Sequence, residues 1–202
     1  RSLVGSEMCI RDSVITTLDS IPLPEEMSPR LVARWCMLYA RAADKIEDEM
    51  PYTNQLEIAL KYYQKKKMRK EEAEIGLYLG RSYVEDKEYE KAMRAYSDAL
   101  KVALAIKNYN RAGYICSYMG DLYEVDLRYI LAAEKYKESG KYFYLANNAT
   151  SYVRAFVNEG RSYMSVDSNY LALASLKQAE VIMDSLNVEN VKTYVYNGLG
   201  NI

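Results

Sequence analysis

Gly80-Arg81-Ser82-Tyr83 decides the fold, because it returns. The chain repeats it as Gly120-Asp121-Leu122-Tyr123 and as Gly160-Arg161-Ser162-Tyr163, then opens it again at Gly200-Asn201-Ile202, each glycine 40 residues after the last. A fixed step of this length is the signature of a stacked-repeat architecture. A second small residue keeps the same register: Ala92, Ala132 and Ala172 each follow their glycine by 12 residues. A mid-helix glycine costs about 1 kcal/mol against alanine. Bearing that cost at equivalent positions implies that a neighbouring helix needs the space. A glycine on the first helix and an alanine on the second are expected to let two backbones approach, with larger side chains filling the seam.

Working outward, Ala73 to Glu85 reads as a first helix and Asp86-Lys87-Glu88 as a polar turn. Tyr89, Ala92, Tyr96, Ala99 and Leu100 then mark a partner helix running toward Ile106. The units fall at 73–112, 113–152 and 153–192, with a fourth begun at 193–202. Upstream, residues 14–72 read as irregular helices and a divergent repeat. Ser28-Pro29 starts a helix, since serine accepts from free amides and proline fits the first helical position. Leu31, Trp35, Leu38, Tyr39 and Ala42 follow at the spacing of one helical face. Asn54 is expected to cap the next helix, with Leu56, Ile58, Ala59, Tyr62 and Tyr63 on its buried side. That helix runs into Lys65-Lys66-Lys67-Met68-Arg69-Lys70, read as a solvated, positively charged helix end favoured by the dipole.

Composition narrows the function. Half of the 202 residues are hydrophobic, and the net charge of −1 favours neither nucleic acid nor an anionic membrane. No apolar run approaches the roughly 18 residues of a membrane helix. There is no histidine, which removes the commonest general base and metal ligand. Phosphate loops, dinucleotide fingerprints and nucleophile elbows are absent. The sequence therefore predicts no enzyme, no cofactor and no metal. Cys36 and Cys116 stand in apolar helical context and read as buried, inert thiols. The carboxylates are scattered along helix surfaces, where pairs such as Glu90 with Arg94 account for them. Tyrosine is the outlier, at 21 residues, and suits packing seams and binding surfaces alike.

The pattern resembles the tetratricopeptide repeat: Leu-Gly-x-x-Tyr on one helix, then Ala-x-x-x-aromatic-x-x-Ala on the next. Leu79, Gly80, Tyr83, Ala92, Tyr96 and Ala99 match it fully. The second unit matches at Gly120, Tyr123, Ala132 and Tyr136, with Met119 for Leu and Ser139 for the last Ala. The third keeps Gly160, Tyr163 and Ala172, with Glu159 for Leu and Leu176 for the aromatic. The family's Trp is replaced by Gly76, Cys116 and Phe156. Its common unit is about 34 residues; the extra six here are expected to lengthen the helices between units. The resemblance implies an all-α, right-handed superhelical solenoid of antiparallel helix pairs, with first helices lining a groove. Arg81, Asp121, Arg161 and Asn201, just after each glycine, should face that groove, joined by Tyr78, Tyr118 and Asn158. A protein or peptide partner is implied, with no nucleic acid and no membrane segment in this region.

Repeats of this kind resemble those of bacterial signalling and regulatory proteins. That implies a periplasmic, membrane-anchored setting or, alternatively, a cytoplasmic peptide receptor of the quorum-sensing kind; repeats appended to an enzyme are a further alternative. Residues 1–13 are set apart. Leu3 to Ser13 match the translation of a transposon-end sequencing adapter in one frame, so the native start is expected to be missing. Resequencing the locus from independent libraries should lack these codons; finding them in genomic DNA would return the segment to the protein.

Overall fold

The computed structural model describes residues 15–18, 20, 27–46 and 49–201; the adapter-like segment lies outside the described residues. Every regular element among them is helical. The helices are α1 (Pro29–Ile46), α2 (Thr53–Lys65), α3 (Arg69–Glu85), α4 (Tyr89–Ala105), α5 (Tyr109–Val125), α6 (Tyr129–Leu145), α7 (Ala149–Met164), α8 (Asn169–Ser185) and α9 (Lys192–Leu199). None is long and apolar enough to cross a membrane. The chain forms two compact units, Arg1–Val102 and Ala103–Ile202.

The helices start at 69, 89, 109, 129, 149 and 169, so the true period is half the one read from glycine. Each 40-residue unit is two helices of near-equal length, joined by the same turn that joins it to the next unit. The extra length over the family's unit is shared by both helices rather than gathered between units. The turns from α2 through α9 are built alike. Lys67, Lys87, Lys107, Leu127, Asn147, Asp167 and Asn187 all have φ between 54° and 60°. The following amide then reaches back five residues, as in Met68 N to the Tyr63 carbonyl (3.0 Å) and Arg128 N to that of Tyr123 (2.8 Å). This is the Schellman closure, which normally uses glycine in the left-handed position. Asn108 and Asn148 cap the helices that follow: their Oδ1 atoms accept from Arg111 N and Ser151 N, each at 3.1 Å.

In the first unit α1 packs on α2 and α2 on α3. Val32, Ala33, Cys36, Ala40 and Ala43 form the buried side of α1, whereas Leu31 and Leu38 are half exposed. Trp35 and Ala42 of the expected face are buried as well, so the spacing marked the docking face in part, with Leu31 and Leu38 outside it. Ile58 on α2 is also exposed, while Leu56, Ala59 and Tyr63 are buried. Asn54 does not cap α2. Thr53 opens that helix, and its hydroxyl meets Ser82 Oγ at 2.6 Å.

In the second unit α5 to α8 pack in chain order, and α9 lies against α7 and α8. Val153, Val157, Leu176, Ala179, Met183, Val191 and Val195 form one core.

Glycine acts differently from the expectation. A Cβ on Gly80 would lie 2.2 Å from the Tyr96 ring, one on Gly120 2.7 Å from that of Tyr136, and one on Gly160 2.8 Å from Leu176. The nearest atoms thus belong to the residue 16 positions on. Ala92, Ala132 and Ala172 are fully buried, and at Gly160 the Ala172 carbonyl also comes within 3.2 Å of the built Cβ. Tyr83, Tyr123 and Tyr163 are half-buried at the edge of the seam; the Tyr83 hydroxyl donates to Glu57 (2.6 Å) and Arg128 covers the Tyr123 ring. Gly200 stands just beyond α9, and an added Cβ there would meet only the Tyr196 carbonyl.

The two backbone demands predict opposite signs. Gly80→Ala should destabilise by roughly 1–2 kcal/mol in urea melts, overpacking exceeding the gain in helix propensity, while Gly200→Ala stays near neutral. Leu127→Gly, at an exposed left-handed residue, should stabilise by roughly 0.5–1 kcal/mol.

Candidate functional site

The second unit contains an open polar cavity of about 540 Å³. Three successive first helices supply it. Asp121 and Glu124 come from α5, Asn158, Arg161 and Met164 from α7, and Tyr194 and Asn201 from α9 and its end. Tyr129 and Tyr136 of α6 complete the wall. The register explains the convergence. Asp121 and Arg161 each follow their glycine, so a 40-residue step carries them onto the same face of their helices, and Asn201 holds the corresponding place just past the end of α9.

Hydrogen bonds order the wall. The Tyr136 hydroxyl donates to Asp121 Oδ1 at 2.6 Å, and Ser162 donates to Glu124 Oε1 at 2.6 Å. The Tyr194 hydroxyl donates to Asn158 Oδ1. Arg161 Nη1 donates to the Tyr194 oxygen at 3.3 Å, and its guanidinium lies 5.8 Å from that ring's centre. Burial, and then the Asp121 charge, push the Tyr136 phenol far above its ordinary range, so it stays protonated and donates. The cavity thus sets carboxylates near an exposed guanidinium and two amides. Such a set can hold both the donors and the acceptors of a peptide backbone. It offers no activated nucleophile. Cys36 and Cys116 are fully buried, and burial raises both thiols to about 12. Among the described residues no group of His, Cys, Asp or Glu could hold a metal.

Of the seven groove positions, Asp121, Asn158, Arg161 and Asn201 line this cavity. Tyr118 on α5 is half-buried and outside the lining. Tyr78 and Arg81 belong to the first unit. There Tyr78 is buried and donates to Glu74 Oε1 at 3.3 Å, while Arg81 is ion-paired with Asp44 at 2.6 Å. Sequence reading missed Glu124, Tyr136 and Tyr194. Glu124 and Tyr194 carried a signal: one lies three residues past Asp121, the other one helical turn before the position equivalent to Asn158. Tyr136 was read only as seam filling, although its hydroxyl reaches past the seam.

No protein-family model matches the chain, and no curated protein matches it. Solved structures do. Apo RapI superposes with a TM-score of 0.67 at 11% identity, covering 96% of this chain and 69% of that one. PlcR of Bacillus thuringiensis, solved with the peptide PapR7 and DNA, gives 0.62 at 14%, covering 95% and 70%. A putative kinesin light chain of Podosopora anserina with nearly identical TPR-like repeats gives 0.60 at 13%, covering 91% and 88%. The fold is that of the tetratricopeptide-like helical repeats.

Glu159 stands at the family's leucine position, immediately before Gly160. It is buried, and its Oε2 atom has no hydrogen-bond partner among the described residues. Burial raises its carboxyl, opposed by Lys137 and Ser175. A pKa raised on folding favours the folded state at low pH, and that contribution is lost as pH rises through the folded value. Glu159→Gln should therefore raise the melting temperature at pH 7, by about 1 kcal/mol of stability. The advantage should shrink as pH falls through the carboxylate range in a pH series of thermal melts.

Proposed function

We propose that this chain is a binding scaffold, the repeat portion of a bacterial signalling or regulatory protein, and that it holds a peptide in the polar cavity of its second unit. One observation carries the reading: side chains from three consecutive first helices converge on a single open space with donors, acceptors and both charges. A peptide laid across it would meet one repeat after another, and the amides of Asn158 and Asn201 could pair with its backbone. The likeness to PlcR, solved with PapR7, supports a peptide as the occupant. The walls are polar, which favours an extended, hydrophilic or charged segment over an apolar plug.

A peptide-array screen of the purified chain, followed by titration of the best binder, tests this. Arg161→Glu changes an exposed side chain and should leave the thermal melt unaltered while weakening binding by about tenfold or more. Asn201→Leu should weaken it less. Binders that Arg161→Glu and Asn201→Leu retain at full affinity would move the site elsewhere.

A further inference from the structure

The first unit has a recess of its own. It holds about 440 Å³ between the amino-terminal half of α1 and the turn from α2 to α3. Arg30 and Arg34, one helical turn apart on α1, line it together with Leu38, Tyr62, Met68 and Glu71. Leu38 and Met68 are 48% and 38% exposed, large for apolar side chains in a recess. The lining is held in place. Tyr62 packs edge-on against Tyr63 (centroids 5.5 Å apart), and the Tyr63 hydroxyl donates to the Ala33 carbonyl at 3.1 Å. Arg41, at the far end, is already committed to Glu74 through two hydrogen bonds of 2.9 and 2.8 Å.

Arg30 and Arg34 are different. Both are exposed, and neither forms an ion pair with another described residue. The turn between Tyr63 and Met68 carries Lys65, Lys66 and Lys67, with Lys70 following; all are exposed and likewise unpaired among the described residues. The lysines lie outside the lining itself; within it, the two uncommitted guanidiniums of Arg30 and Arg34 outnumber the single carboxylate of Glu71 beside a partly apolar hollow.

We propose that this recess is a docking site for an acidic peptide segment bearing a large apolar side chain. That side chain enters between Leu38, Tyr62 and Met68 while neighbouring carboxylates meet Arg30 and Arg34. Charge complementarity selects the acidity. A concave lining of thioether, aliphatic and aromatic groups selects the apolar anchor. A phosphate backbone would satisfy the cations but leave Leu38 and Met68 uncovered. The site is separate from the polar cavity of the second unit and does not depend on a ligand being bound there.

Fluorescence anisotropy tests it with a labelled peptide alternating Glu and Leu, its Gln-for-Glu analogue and its Ser-for-Leu analogue. A single-stranded oligothymidine and phosphatidylglycerol vesicles serve as competitors. The Glu/Leu peptide should bind, each analogue should bind at least about tenfold more weakly, and added salt should weaken the complex. Arg30→Glu with Arg34→Glu should lower affinity by about tenfold or more with unchanged circular dichroism. Should that pair disturb folding, Arg30→Gln with Arg34→Gln should give a smaller loss in the same direction. Equal binding by the Gln analogue, full binding by the folded Arg variants, or displacement of the peptide by oligothymidine or vesicles at lower concentration would overturn the proposal.

Discussion

A ring lying on a glycine sets the geometry of this protein. Tyr96 covers Gly80, Tyr136 covers Gly120, and Leu176 takes the same place over Gly160. Each contact fills a space that any Cβ would close, so the helices of a pair can stand only at the separation and rotation that keep ring and glycine in register. The fully buried alanines beside them then fit without a void. Packing also reaches function here. With its ring on Gly120, Tyr136 is long enough to send its hydroxyl beyond the seam to Asp121. A residue chosen for filling thus delivers a donor to the cavity wall. Leu176 fills the equivalent space without a polar tip, which makes the repeats alike in packing and unlike in chemistry.

The turns impose the second constraint. A left-handed residue every 20 positions reverses the chain in the same way each time, so within the second unit the first helices α5 and α7 present equivalent faces. Where Asn or Asp occupies that position the conformation is tolerated through local hydrogen bonding; where Lys or Leu does, the backbone bears a cost of roughly 1 kcal/mol. The Schellman bonds and the packed helices on either side hold the conformation despite that cost. Equivalent faces are what allow Asp121, Arg161 and Asn201, far apart in sequence, to share one cavity.

Near-neutral net charge conceals local separation. In the second unit Asp121 and Glu124 stand near Arg161, and the hydroxyls of Tyr136 and Ser162 answer the carboxylates. In the first unit Arg41 and Arg81 are consumed by Glu74 and Asp44, whereas Arg30 and Arg34 are left toward solvent. A formal charge count weighs all four arginines equally. Only their neighbours distinguish a structural ion pair from a group available to a ligand.

The glycine step by itself determined the all-helical repeat, the order of the helices and the close-packed glycines at 80, 120 and 160, because close packing leaves a periodic trace in composition; it did not pick out Gly198, the close-packed glycine of α9. It also placed four of the seven groove positions on what is one cavity, since a fixed step preserves the helical face. Other matters needed the tertiary structure. The Tyr96 ring is what lies against Gly80, because side-chain direction depends on how two helices are rotated. Leu31 and Leu38 stay about half exposed among the described residues, although their spacing matches an apolar helical face. Arg81 is spent on Asp44, a residue 37 positions away. The turn residues gave no warning of their shared conformation, since Lys, Leu, Asn and Asp have no common side-chain chemistry; what unites them is the backbone hydrogen bond closed behind them.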